Sequence, residues 1–99
     1  FCYIDDAVEA IKLISKKGNN NEIYNIGTNE EINIKNLVYE ISKKLKLNLK
    51  IVSGKLRKGS TLRRRPDIKK IKKLGHENKF NLSLGLKPTV DWYKNFFLK

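Results

Sequence analysis

Apolar positions at the start of the chain recur at helical spacing. In "DDAVEAIKLISKK", Val8, Ile11 and Ile14 repeat every third residue, with Asp5 and Asp6 in the first turn and Lys16 and Lys17 in the last. Spacing and helix macrodipole together predict a helix from Asp5 or Asp6 to Gly18. "GNNN" reads as a turn. "EIYNIG", residues 22–27, is short, rich in strand formers and closed by glycine, which predicts a buried strand. "INIKNLVYEISKKLKL" places Ile34, Leu37, Val38, Ile41 and Leu45 on one face, an amphipathic helix with Asn33 as its cap. "NLKIVSG", residues 48–54, reads as a second short strand. A loop over 54–66 leads to "PDIKKIKKLG", a short helix with Asp67 as N-cap, Ile68, Ile71 and Leu74 inward, four lysines outward and Gly75 as its stop. The end, "NLSLGLKPTVDWYKNFF", is helical in pattern from Leu82 through Phe97, and Pro88 within it predicts either a kink or a later start. Helices alternating with strands, and no internal repeat, favour an α/β class.

Length and composition narrow this picture. Ninety-nine residues enclose one small core at most. The chain has no Met and opens Phe-Cys-Tyr-Ile, so the sequence reads as a fragment of a longer protein. Its apolar runs are short and interrupted by Lys, Asn or Asp, which fits neither a membrane span of ~20 apolar residues nor a signal peptide. A cytoplasmic parent is the expectation. With Cys2 as the sole cysteine and His76 as the sole histidine, an internal disulfide is impossible and the usual zinc ligand sets cannot be assembled.

The net charge of +12 comes from 18 Lys and 4 Arg against 10 acids and points towards a phosphate-bearing partner. A compositional explanation competes with it. Asn and Ile each occur 11 times beside the lysines, the bias expected where an AT-rich genome drives codon choice. The four arginines are not scattered in that way, because all of them fall in residues 57–65.

Several motifs are superficial. "GKLRKGST", residues 54–61, approaches the phosphate-cradling loop G-x-x-x-x-G-K-S/T, but Ser60 stands where the lysine is required and the run reaches Pro66 rather than opening a helix. "YEISK" matches the Tyr-x-x-x-Lys pair that carries proton transfer in short-chain dehydrogenases. Tyr39 and Lys43, however, lie about 140° and 180° around the helix from Ile34, opposite the apolar face, and read as surface residues. His76 stands alone beside a helix stop, so no Ser–His–Asp arrangement can be built. Asp5 and Asp6 read as strand-end and capping residues rather than a catalytic carboxylate pair.

Read in order, "FCYIDDAVEAI", "EIYNIG", "INIKNLVYEI", "LRKGSTLRRRPDIKKIKKLG" and "LSLGLKPTVDWY" have the sequence and spacing of one family's C-terminal region. The chain resembles the last third of an extended short-chain dehydrogenase/reductase, the NAD-dependent nucleotide-sugar epimerases and dehydratases. The residues that carry the resemblance are Phe1, Tyr3, Asp5 and Asp6; Tyr24, Asn25 and Gly27; Arg57 and Gly59; Asp67, Lys70, Leu74 and Gly75; and Leu82, Gly85, Leu86, Thr89, Trp92 and Tyr93. Lys58 in place of proline, His76 in place of an aromatic, and Pro88 depart from the family pattern.

The resemblance implies a Rossmann-type parent that binds NAD or NADP, removes a hydride from a nucleotide-diphosphate sugar and returns it after epimerisation or dehydration. It assigns Arg57 to the substrate diphosphate, where a planar guanidinium donates paired hydrogen bonds that lysine cannot. It makes Ser60 a candidate for ribose or phosphate contact and Arg63 or Arg64 a second contact to the substrate. Residues 1–28 would complete the dinucleotide-binding domain and residues 29–99 would form part of the substrate-binding lobe. The glycine-rich dinucleotide loop and the catalytic Tyr-x-x-x-Lys would lie in a missing N-terminal domain, leaving this part inert alone, without catalytic residues or cofactor of its own. The parent would be a homodimer. The alternative is an independent basic nucleic-acid-binding module on residues 63–73, a strip that lacks interleaved aromatics for base stacking.

Overall fold

The structure, a computed structural model, describes residues 1–97. Four helices succeed one another: α1 (Ile4–Lys17), α2 (Ile34–Leu45), α3 (Lys69–Lys73) and α4 (Leu82–Phe97). α1 carries its acids in the first turn and its lysines in the last, and it stops where Gly18 donates its N–H to the Ile14 carbonyl at 2.7 Å. Asn33 caps α2 as expected, its side chain accepting from the Asn36 N–H at 2.8 Å. Asp67 acts just ahead of α3, accepting from the Lys69 N–H at 3.0 Å. At the head of α4, Asn81 accepts from the Leu84 N–H at 2.8 Å. α4 begins at Leu82 and runs through Pro88 as one helix, so the later start does not occur. Pro88 lies near the first turns, where the loss of one N–H costs one backbone bond.

No strand forms among the described residues, which overturns the expected α/β class for this chain. The reason is partnership. Strand formers become a strand only when a neighbouring segment closes the backbone ladder, and here neither residues 22–27 nor residues 48–54 meets one. The first segment still alternates: Tyr24 and Ile26 pack on the core while Ile23 is 82 % exposed. In the second, Val52 is 80 % exposed and nothing covers it.

The core is small. Ala10, Ile68 and Ile71 are buried together, with Ile14, Tyr24 and Ile26 packed around them, and α2 packs separately against α4. The face of α1 that turns inward carries Asp6, Ala10 and Ile14, whereas Val8 and Ile11 are exposed. Spacing alone had pointed Val8 and Ile11 inward; the small Ala10 is what lets residues 68–71 approach closely. Ile34 is likewise exposed, while Leu37, Val38, Ile41 and Leu45 are half-buried. The radius of gyration is 16.4 Å, against about 13 Å for a compact domain of this length, so the molecule is open and slab-like at 47 × 34 × 19 Å. No helix among the described residues is long and apolar enough to cross a membrane.

Candidate functional site

The scaffold beneath the candidate site is built by long-range hydrogen bonds. The buried Asp6 carboxylate accepts from the backbone N–H groups of Lys79 and Phe80 at 2.9 and 3.0 Å, tying α1 to the segment before α4. The Tyr3 ring stacks obliquely on Phe80 at 4.4 Å between centroids, and Gly85 leaves room for it: a Cβ there would lie 3.1 Å from the Tyr3 Cβ. Asn78 donates to the Gly27 carbonyl at 2.7 Å and takes the other side of its amide to His76 Nε2 at 2.9 Å. The buried His76 is thus part of this brace. Asn25 donates to the Asp67 carbonyl at 3.2 Å.

Gly27 decides where the arginine-rich loop returns. A Cβ at residue 27 would fall 2.5 Å from the Pro66 Cγ, so only glycine lets Pro66 seat against this segment. Residues 24–28 and 66–67 are therefore pinned together, and the chains leaving them, residues 29–33 on one side and 61–65 on the other, run side by side. Between them lies an open groove of about 800 Å³ whose lining includes the apolar Phe1, Ile34 and Leu62, the arginines Arg63 and Arg64, and the carboxylates Glu30 and Glu31.

The four residues singled out in the sequence fall into two pairs. Arg57 and Ser60 close one turn, the Ser60 N–H donating to the Arg57 carbonyl at 3.1 Å. Gly59, at the third position, has φ 83°, the sign a type II turn requires there. A Cβ at Gly59 would touch nothing, so the glycine serves backbone conformation rather than close approach. Arg63 and Arg64 line the groove. Among the described residues no hydrogen bond or ion pair joins the two pairs.

Glu31 is the residue at this groove that the sequence does not single out. Its carboxylate accepts from Arg63 Nε and from Arg63 Nη2, the latter at 2.6 Å, and Arg65 Nη1 lies 3.7 Å away. Hydrogen bonding from Arg63 holds the Glu31 carboxyl below its ordinary range; desolvation opposes this, and the charges of Arg63 and Arg65 add to it. The same contact pushes the Arg63 guanidinium further up. Arg64 Nε donates to the Thr61 hydroxyl at 2.7 Å. Nothing in the spacing of Glu31 and Arg63, 32 residues apart, signals their meeting. Tyr39 is on the surface and Lys43 pairs with Glu40 at 3.1 Å. Among the described residues no three His, Cys, Asp or Glu side chains gather as a metal site would require.

The groove sets two guanidinium forks and two carboxylates, Glu30 and Glu31, beside an apolar surface of Phe1, Ile32, Ile34 and Leu62, so an anion entering it would meet only those arginine N–H groups that the carboxylates leave free. Known proteins have sequences related to this chain. Human dTDP-D-glucose 4,6-dehydratase is 33% identical over 104 aligned residues, covering 98% of this chain and 30% of that protein. An Arabidopsis thaliana trifunctional UDP-glucose 4,6-dehydratase/UDP-4-keto-6-deoxy-D-glucose 3,5-epimerase/UDP-4-keto-L-rhamnose-reductase is 33% identical over 97, covering 94% of this chain and 14% of its own length. A Methanocaldococcus jannaschii protein named as a candidate UDP-glucose 4-epimerase is 33% identical over 96, covering 96% and 30%. The chain thus spans less than a third of each of these relatives. No protein-family profile matches it, and no solved structure does. Across nearly all of its 99 residues the chain is the counterpart of a C-terminal part of nucleotide-sugar dehydratases and epimerases, and it belongs with the extended short-chain dehydrogenase/reductases.

Proposed function

We propose that these residues form the substrate-gripping part of an NAD- or NADP-dependent sugar-nucleotide dehydratase or epimerase, with the nucleotide-diphosphate sugar held along the arginine loop. The groove lined by Arg63 and Arg64 beside Phe1, Ile32, Ile34 and Leu62 carries the reading, because a nucleoside diphosphate needs cationic donors for its phosphates next to an apolar surface for its base or sugar. In this reading Arg57 donates to the diphosphate, Ser60 contacts phosphate or ribose from the same turn, and Arg63 and Arg64 complete the grip. Residues 1–28 close off the dinucleotide-binding domain, residues 29–99 belong to the substrate lobe, and the parent is a cytoplasmic homodimer.

The residues present do not fit a dinucleotide. The six glycines, at 18, 27, 54, 59, 75 and 85, never cluster into a glycine-rich turn opening a helix, and the loop that approaches one is exposed and irregular. In this reading the share of these residues is binding and orientation, and hydride transfer belongs to the dinucleotide-binding part of the parent.

The test is calorimetric binding of UDP-glucose and dTDP-glucose to the full natural chain that carries these residues. Loss of a charge-assisted hydrogen bond through Arg57→Ala or Arg63→Ala is expected to weaken binding ~10- to 150-fold. Wild-type affinity in both variants overturns the assignment. Micromolar binding to duplex DNA that falls steeply with salt would instead favour a nucleic-acid module.

A further inference from the structure

The loop of residues 48–65 is long, irregular and exposed, and Leu62 within it is 90 % accessible. Such a segment ordinarily samples many conformations, and a binding arginine on it would have to be ordered at the moment of binding. Its tethers are therefore informative. Among the described residues one side chain alone joins residues 48–65 to the rest of the molecule by hydrogen bond or ion pair, and that side chain is Glu31.

The manner of the contact matters. A guanidinium has five N–H donors in one plane. Glu31 engages Arg63 along the Nε and Nη2 edge, one hydrogen from each nitrogen. Both Nη1 hydrogens and the second Nη2 hydrogen remain. These form the end-on fork, the edge that matches two oxygens of a phosphate. Arg63 is thus held by its side and presents its tip, while the same carboxylate draws in Arg65. An exposed pair of this kind contributes little to stability, so its consequence lies in orientation.

We propose that Glu31 is the positioning residue of the arginine groove, fixing Arg63 by one edge so that the other meets a diphosphate. The inference rests on the substrate reading above. Glu31 lines the groove beside Arg63, and in this role it acts through Arg63. Its carboxylate, if merely a placeholder, would compete with the phosphate for the same guanidinium, and the two roles give opposite results on substitution.

Inorganic pyrophosphate and UDP-glucose are titrated calorimetrically into the full natural chain as wild type, Glu31→Gln, Arg63→Ala and the double variant. Glu31→Gln is expected to weaken both ligands about three- to fivefold, the range open to one exposed pair. The double variant is expected to bind no more weakly than Arg63→Ala alone, because orientation is worthless without the group being oriented. Should Glu31→Gln alter folding, the wild type still decides: the Arg63 Nε–H is expected to be protected from solvent exchange by NMR, and an unprotected signal overturns the proposal. Unchanged affinity in Glu31→Gln beside a large loss in Arg63→Ala overturns the role of Glu31 and leaves the groove standing. Tighter binding in Glu31→Gln also overturns it and makes Glu31 the competitor. Unchanged affinity in Arg63→Ala removes the groove reading and this inference with it.

Discussion

The brace around α1 and the arginine loop are neighbours held by different means. In the brace, Ala10, Ile68 and Ile71 exclude water, and a buried carboxylate and two asparagine side chains satisfy backbone groups across more than 40 residues of sequence. In the loop, one exposed carboxylate holds two arginines and no apolar side chain is buried. The difference separates stability from recognition. Burial and satisfied buried polar groups resist removal by salt or pH, whereas a solvated ion pair is screened by salt and is lost when its carboxylate is protonated. A segment proposed to meet a phosphate can be held this lightly where its C-terminal end is pinned by close packing, as Gly27 against Pro66 pins it here.

Substitutions can break this comparison. The largest effect is expected from Ile71→Ala, which truncates the largest fully buried side chain of the core and is expected to cost about 3–4 kcal/mol by urea unfolding. Asp6→Ala follows, at about 2–3 kcal/mol, because the Lys79 and Phe80 N–H groups lose their acceptor in a partly buried setting. Arg63→Ala, measured the same way, is expected to leave the unfolding midpoint nearly unchanged. A loss comparable to that of Asp6→Ala would place the loop within the cooperative core and end the distinction.

Acid sharpens the comparison with the smallest effect. The folded Glu31 carboxyl lies below its ordinary value of about 4.3, so its pairing is fully present above that pH and is lost as pH falls through the lower, folded value. The charged groups around it are Arg63, Arg65 and its neighbour Glu30. Protection of the Arg63 Nε–H is therefore expected to be full above that ordinary value and to fall as the carboxylate is protonated below it. Protection that survives protonation of Glu31, followed by its own carboxyl NMR signal, would mean that something other than the carboxylate orders Arg63.

Local patterns were legible and long-range ones were not. Asn33 as a cap, the acids and lysines at opposite ends of α1, and Ile68 and Ile71 as inward residues at the start of α3 and within it all depend on neighbours within one turn, and the sequence displays those neighbours directly. Residues 22–27 and 48–54 carry strand formers and yet form no strand, because β structure needs a partner elsewhere in the chain. The inward face of α1 was misread because Val8 and Ile11 are the more apolar, while the close approach of residues 68–71 selects the smaller Ala10. At the candidate site, the arginines and the family resemblance could be read from residue order, but Glu31 could not. By itself, then, the sequence determined the helices, their ends and the kind of chemistry to expect, since each rests on residue type at short spacing. Only the tertiary structure decided which faces are covered, that Gly27 must admit Pro66, and that one carboxylate 32 residues away holds Arg63, since these depend on distances through space that spacing along the chain does not encode.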